Sequence, residues 1–123
     1  ELNQIASKYD NCYSIAGKFS FREELELINH LTAMISMDSA NMHLATICST
    51  PVVSIWGATH HYLGFGPLNN EQNIVEISRD ELPCRPVSIY GKIKTKSQQE
   101  CADKAMSQIT VDMVINKLNP LLK

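Results

Sequence analysis

Between Met34 and Ala45 the chain reads MISMDSANMHLA, an apolar run that turns polar at Asp38 and then resumes with helical spacing. Asp38, Ser39 and Asn41 are short polar residues at a strand-to-helix junction, and His43 follows within the first turn. That turn leaves backbone N–H groups without partners and carries partial positive charge. Ser39, Ala40 and Asn41 are small enough to let an anion reach those amides, and phosphate is the usual occupant of such a site. His43 lies where the dipole disfavours a positive charge, and a neutral imidazole both donates and accepts a hydrogen bond, which suits sugar hydroxyls. Plainer readings compete. Asp and Ser are favoured N-caps, worth about 1 kcal/mol each, and a histidine on a helix can simply be a satisfied core residue.

A second candidate stretch is Gly57-Ala58-Thr59-His60, which follows the apolar run VVSIW. Glycine there would allow close approach of backbone to a ligand, although it would equally serve a strand-ending turn. The pair His60-His61 invites a metal reading. With no carboxylate or cysteine at close helical or hairpin spacing, no metal site is expected.

These residues need a scaffold, and the hydrophobic periodicity supplies one. Leu2, Ile5, Ala6 and Tyr9 predict a helix. Residues 12–16 predict a short strand ended by Gly17. Ser20 with Glu23 forms a capping-box pattern ahead of Leu25, Leu27, Ile28 and Leu31. Residues 33–37 predict a strand buried on both faces, 41–49 a helix, and 52–56 a buried strand introduced by Pro51. A long Gly-rich loop, the length at which loops are often functional, leads to a strand over 73–78. Residues 79–100 read as irregular, and Thr110 caps a last helix that Pro120 ends. Alternating strands and helices, with strands that are continuous apolar runs, predict an α/β fold with a parallel sheet covered on both faces.

The 123 residues, 44% of them hydrophobic, suit one domain over 1–123, and the net charge of −2 excludes the basic excess of a nucleic-acid binder. Lys92, Lys94 and Lys96 read as a solvated loop. Cys12, Cys48, Cys84 and Cys101 form no close pair; the first two sit in apolar runs and read as small buried hydrophobes, so a reducing, cytoplasmic compartment is expected. No apolar run approaches the roughly 20 residues of a membrane span, and no signal peptide is seen. The chain opens at Glu1 directly in a helical pattern, as an excised piece of a longer protein would.

The stretch MDSANMHLATICSTPVVSIWGATHHYLGFGP resembles the ADP-heptose:lipopolysaccharide heptosyltransferases, a glycosyltransferase family that carries D-S/T-G-x-x-H-L-A, a short helix and then P-V-V-x-L-F/W-G-P-T. GKFSFREELELINHLTAMIS is similar to the family's preceding element, and LPCRPVSIYGK and ITVDMVINKL to its closing region, so the likeness covers nearly the whole chain. The resemblance implies a two-domain (GT-B type) architecture of facing Rossmann-like halves, of which this chain would be the C-terminal, donor-binding half. It implies that Ser39, Ala40 and Asn41 offer amides to the diphosphate and that Asp38 and His43 hold hydroxyls of the transferred sugar. Lys18 and Phe19 would lie near the nucleobase, and Gly57 and Thr59 would form the opposite wall. No cofactor is implied, because the helix dipole would stabilise the departing diphosphate without a metal. The implied partners are an ADP-heptose-like donor, a lipid-linked saccharide acceptor, and a missing N-terminal half with the acceptor site and the general base; the full-length protein would associate peripherally with the cytoplasmic face of the membrane. The isolated chain would be inactive. Glu1 would be the remnant of an acidic residue that grips the ribose. The sequence departs from the pattern at Ala40, where the family has Gly and where a positive φ would hinder phosphate approach. It departs also at Ala58, for Pro, and at Val87, where some relatives have another Cys. A non-catalytic nucleotide-sugar-binding module and half of a sugar-nucleotide epimerase are the alternatives.

Overall fold

The computed structural model describes residues 1–122. A short helix α1 (Leu2–Ala6) precedes α2 (Phe21–Asn29). The capping box at α2 forms as its spacing predicts. Glu23 Oε2 accepts from the Ser20 backbone N–H at 2.8 Å and from its hydroxyl at 2.7 Å, while Ser20 Oγ accepts from the Glu23 N–H. The Ser20 N–H, and then its hydroxyl, hold the Glu23 carboxyl below its ordinary range.

Strands β1 (Met34–Met37), β2 (Val52–Trp56) and β3 (Ile74–Glu76) form one parallel sheet in the order β1-β2-β3, with Met34 opposite Val52 and Ser54 opposite Ile74. The helix α3 (Ala40–Ile47) links β1 to β2 and packs on both. Side chains alternate along β2. Val52 and Trp56 turn toward α2 and α3 and close a core with Ile28, Met42 and Ala45. The Trp56 indole N–H donates to Ser54 Oγ at 2.9 Å, so this buried donor is satisfied. Residues of the other parity, Val53 and Val75, are also buried. The helix α5 (Val111–Leu118) packs along β2 and β3. Beyond the end of β3, Ile77 and Leu82 pack with Ala105 of α4 (Lys96–Gln108) and with Ile109 and Met113. The α/β fold with a parallel sheet, read from the sequence, is the fold observed.

Several local expectations are corrected. Residues 12–16 form no strand; residues 12–15 are irregular and lie between two turns, with Cys12 N bonded to Tyr9 O and Lys18 N to Ile15 O. β1 is not buried on both faces. It is an edge strand, and Ile35 and Met37 remain 47% and 45% exposed on the side that α5 covers only over β2 and β3. The stretch read as irregular through residue 100 contains the start of α4, capped by Thr95, whose hydroxyl accepts from Gln98 N. Cys84 and Cys101 are joined in a disulfide that ties the 79–95 segment to α4, Cys12 is exposed and Cys48 is half-buried. The disulfide removes the cysteine argument for a reducing compartment. Among the described residues, no helix is long and apolar enough to cross a membrane.

Candidate functional site

All three strands point the same way, so the residues that follow them gather at one sheet edge, where ligands of open parallel sheets bind. Asp38 follows β1 and continues its ladder by donating its N–H to Ile55 O at 3.2 Å. The segment Gly57–His60 follows β2. The register that pairs Met37 with Ile55 brings the two together. Across this gap the Thr59 hydroxyl donates to Asp38 Oδ2 at 2.6 Å.

The start of α3 answers the question its sequence raised. Ser39 is the N-cap by position, yet its side chain makes no capping bond. Its backbone is fully extended, at φ −157° and ψ 169°, and its hydroxyl lies 3.0 Å from Ser36 Oγ. Asp38 is engaged with Thr59. Neither of the two favoured capping side chains serves the helix, and Ala40 and Asn41 at its first turn are solvent-exposed. No side-chain cap is therefore made at the start of α3, and its first exposed amides have no protein partner among the described residues. Ala40 is not among the residues with positive φ, so the methyl that replaces the family's glycine is carried without backbone strain. His43 sits half-buried in the same first turn.

The other sequence candidates divide. Asn41 lines a groove of about 240 Å³ with Ile15, Leu27, Leu31 and Met34, which brings the 15–20 turn to the mouth of α3. Lys18 and Phe19 stay on the exposed outer part of that turn, with Phe19 42% exposed. Gly57 is buried, and a Cβ there would meet Met106 Sδ at 2.4 Å. That contact is with a flexible methionine side chain that is 40% exposed, so a methyl added at Gly57 would be met by a shift of that side chain.

Arg85, which the sequence did not single out, is the anchor of the edge. Its side chain is buried and its donors converge on carbonyls from both strand ends. Nε donates to Gly57 O at 2.7 Å, and the terminal nitrogens donate to Trp56 O at 2.9 Å, to Thr59 O at 2.8 Å and to Ile77 O. Glu76 Oε2, 3.4 Å away, supplies the countercharge. Burial pulls the guanidinium below its ordinary range, and Glu76 offsets part of that.

His60, His61 and Glu76 bring three potential metal-ligand atoms within 4.8 Å of one another. The sequence reading missed the carboxylate because it arrives from β3. His60 Nδ1 accepts from Tyr62 N at 3.2 Å, so the neutral ring carries its proton on Nε2, the nitrogen that stands 3.6 Å from Glu76 Oε1. A cation bound at Nε2 would move that proton to Nδ1, which then could no longer accept from the Tyr62 N–H. His61 Nδ1 lies 2.8 Å from the same oxygen without hydrogen-bond geometry. Burial depresses the His60 pKa, against an opposing pull from Glu76. The folded protein thus resists a proton that the unfolded chain accepts near pH 6.5. Stability present above that pH is lost as pH falls below it. Thermal unfolding is expected to show a falling Tm from pH 7.5 to 5.5, with a shallower slope in His60→Gln. Equal slopes would place the acid sensitivity elsewhere.

Comparison with known proteins gives a consistent result. A model of glycosyltransferase family 9 (heptosyltransferase) matches residues 1–94. Lipooligosaccharide heptosyltransferase 2 of Haemophilus influenzae is 28% identical over 111 residues, which is 90% of this chain and 30% of that protein. Lipopolysaccharide heptosyltransferase 3 of Escherichia coli K12 is 32% identical over 108 residues, 88% of this chain and 28% of that protein. The lipopolysaccharide core heptosyltransferase OpsX of H. influenzae is 29% identical over 114 residues. The chain thus spans about 30% of the length of the curated relatives it matches. No solved structure matches it.

Proposed function

The chain belongs to glycosyltransferase family 9 (heptosyltransferase), and from that premise we propose that it is the part of such an enzyme that binds the nucleotide-sugar donor. One observation carries this reading: the first amides of α3 face the carboxyl edge of the sheet uncapped, because Ser39 and Asp38 bond elsewhere. A diphosphate has the charge and the acceptors to occupy them. In this reading the amides at Ser39, Ala40 and Asn41 take the diphosphate. Asp38 and His43 take hydroxyls of the sugar, and the 15–20 turn with Lys18 and Phe19 lies toward the nucleobase. As the sugar–phosphate bond breaks, charge builds on the departing diphosphate, and fixed amides at a helix start stabilise it without needing a metal.

The relatives' names point to lipopolysaccharide or lipooligosaccharide as the acceptor and to heptose as the sugar transferred. For this chain an ADP-heptose-like donor and a lipid-linked saccharide acceptor are therefore proposed, with the acceptor bound by parts of the full protein outside these residues. The chain by itself is expected to transfer no sugar. A cytoplasmic location at the membrane face belongs to the same proposal. The Cys84–Cys101 bond is the feature that stands against it, since reducing pools keep most cytosolic thiols free.

Calorimetry with ADP-, UDP- and GDP-sugars tests the donor. The ADP-sugar is expected to bind best, and no preference among the three would remove the heptose assignment. Asp38→Ala is expected to weaken sugar-nucleotide binding by about 1–3 kcal/mol while affecting the bare nucleotide less. Equal losses would assign Asp38 to the scaffold alone.

A further inference from the structure

The bond between Thr59 and Asp38 holds more than a wall in place. Thr59 is fixed on three sides. Its carbonyl accepts from Arg85 at 2.8 Å, and its neighbour's carbonyl, Ala58 O, accepts from Val87 N at 2.9 Å. Its methyl lies against Gly91, where an added Cβ would come within 3.2 Å of it, and Gly91 holds φ +67°, a conformation that favours glycine. With backbone and methyl both set, the hydroxyl has one direction left, and it points at Asp38 Oδ2 at 2.6 Å. Asp38 sits at the end of an edge strand and is only half-buried. Its other oxygen, Oδ1, accepts no hydrogen bond from the described residues.

We propose that Thr59 is the positioning residue for Asp38: it takes up one carboxylate oxygen, selects a single side-chain rotamer, and leaves the other oxygen aimed into the crevice for a hydroxyl of the donor sugar. This deepens the reading of Asp38 given above and rests on it. An unrestrained aspartate on a strand edge samples several χ1 wells, and its affinity for a hydroxyl is reduced by the fraction of time spent in the wrong ones. A hydrogen bond to a charged acceptor is strong enough to make that selection.

The test uses the 123-residue chain with Thr59→Val, which keeps the shape and removes the donor, and Thr59→Ser, which keeps the donor and removes the methyl. Asp38 χ1 is read by NMR three-bond couplings without ligand, and binding is read by calorimetry with an ADP-sugar and with ADP. A single Asp38 rotamer is expected in the parent chain and in Thr59→Ser, with averaging in Thr59→Val. The valine variant is expected to lose about tenfold in ADP-sugar affinity with a distinctly smaller loss for ADP, and the serine variant to recover most of it. An unaltered Asp38 rotamer in Thr59→Val overturns the positioning role whatever the binding shows. Averaging without any change in ADP-sugar affinity overturns the link to the sugar. A parent chain that binds no sugar nucleotide overturns the proposed function first, and the rotamer measurement still decides separately whether Thr59 orders the carboxylate. Loss of ADP and ADP-sugar affinity together in both variants would mark Thr59 as scaffold and overturn the proposal.

Discussion

Arg85→Met is expected to lower the stability of the chain by about 3–5 kcal/mol, the range for breaking a buried, paired charge from one side. The residue is 1% exposed. Its removal strands the carbonyls of Trp56, Gly57, Thr59 and Ile77, and it leaves Glu76 without its guanidinium. Methionine fills most of the volume, so the loss measures hydrogen bonds and charge more than packing. An unsatisfied buried acceptor costs about 1–3 kcal/mol, and a domain of this size holds only about 5–15 kcal/mol in total. Arg85→Lys should recover little, because one ammonium cannot reach acceptors that lie on two strands and a loop. Urea unfolding with tryptophan fluorescence is a direct probe, as Trp56 is itself one of the carbonyls held. A loss below about 1 kcal/mol would mean that water reaches those carbonyls as soon as the arginine leaves.

That expectation rests on a residue the sequence did not mark, and the reason is physical. Arg85 stands in a loop between two prolines, where no periodicity reports burial. Its value comes from acceptors 8 to 29 residues away, brought together only once the strands are in register. The same holds for Glu76 beside His60 and His61. The helix α4 was hidden for another reason: it buries Cys101, Ala102 and Ala105, small side chains that leave no large apolar stripe. By contrast β2 and α3 were legible because Val52, Val53 and Trp56 form a continuous apolar run and Ser39 to Asn41 are too small for a core. Asp38 and Thr59 were each visible as candidates. Their hydrogen bond was not, since it depends on the offset between β1 and β2. β1 itself was over-read as buried, because an apolar strand at a sheet edge looks the same in sequence as one at its centre.

Asn41→Asp should separate the two roles that a helix start can have. The substitution changes one atom type and places a carboxylate at the second residue of α3, where Ser39 provides no side-chain cap. If those amides only await a cap, the new charge satisfies them and nothing else follows. Helix-dipole and capping effects predict a gain of about 0.3–1 kcal/mol in stability. If the amides serve a diphosphate, the carboxylate occupies their field and repels the ligand. At roughly 6 Å and an effective dielectric near 20, that repulsion is about 3 kcal/mol per unit charge, before salt screening reduces it. The expected result is therefore opposite in sign for the two measurements: a slightly higher Tm, and about a ten- to hundredfold loss of affinity for ADP and ADP-sugar alike. The loss should shrink as salt is raised, which a change in shape would not do. Because both ligands carry the diphosphate, their losses should match, in contrast to the sugar-selective loss expected at Asp38. A higher Tm with unchanged nucleotide affinity would leave α3 an ordinary uncapped helix and move the anion site elsewhere on the sheet edge.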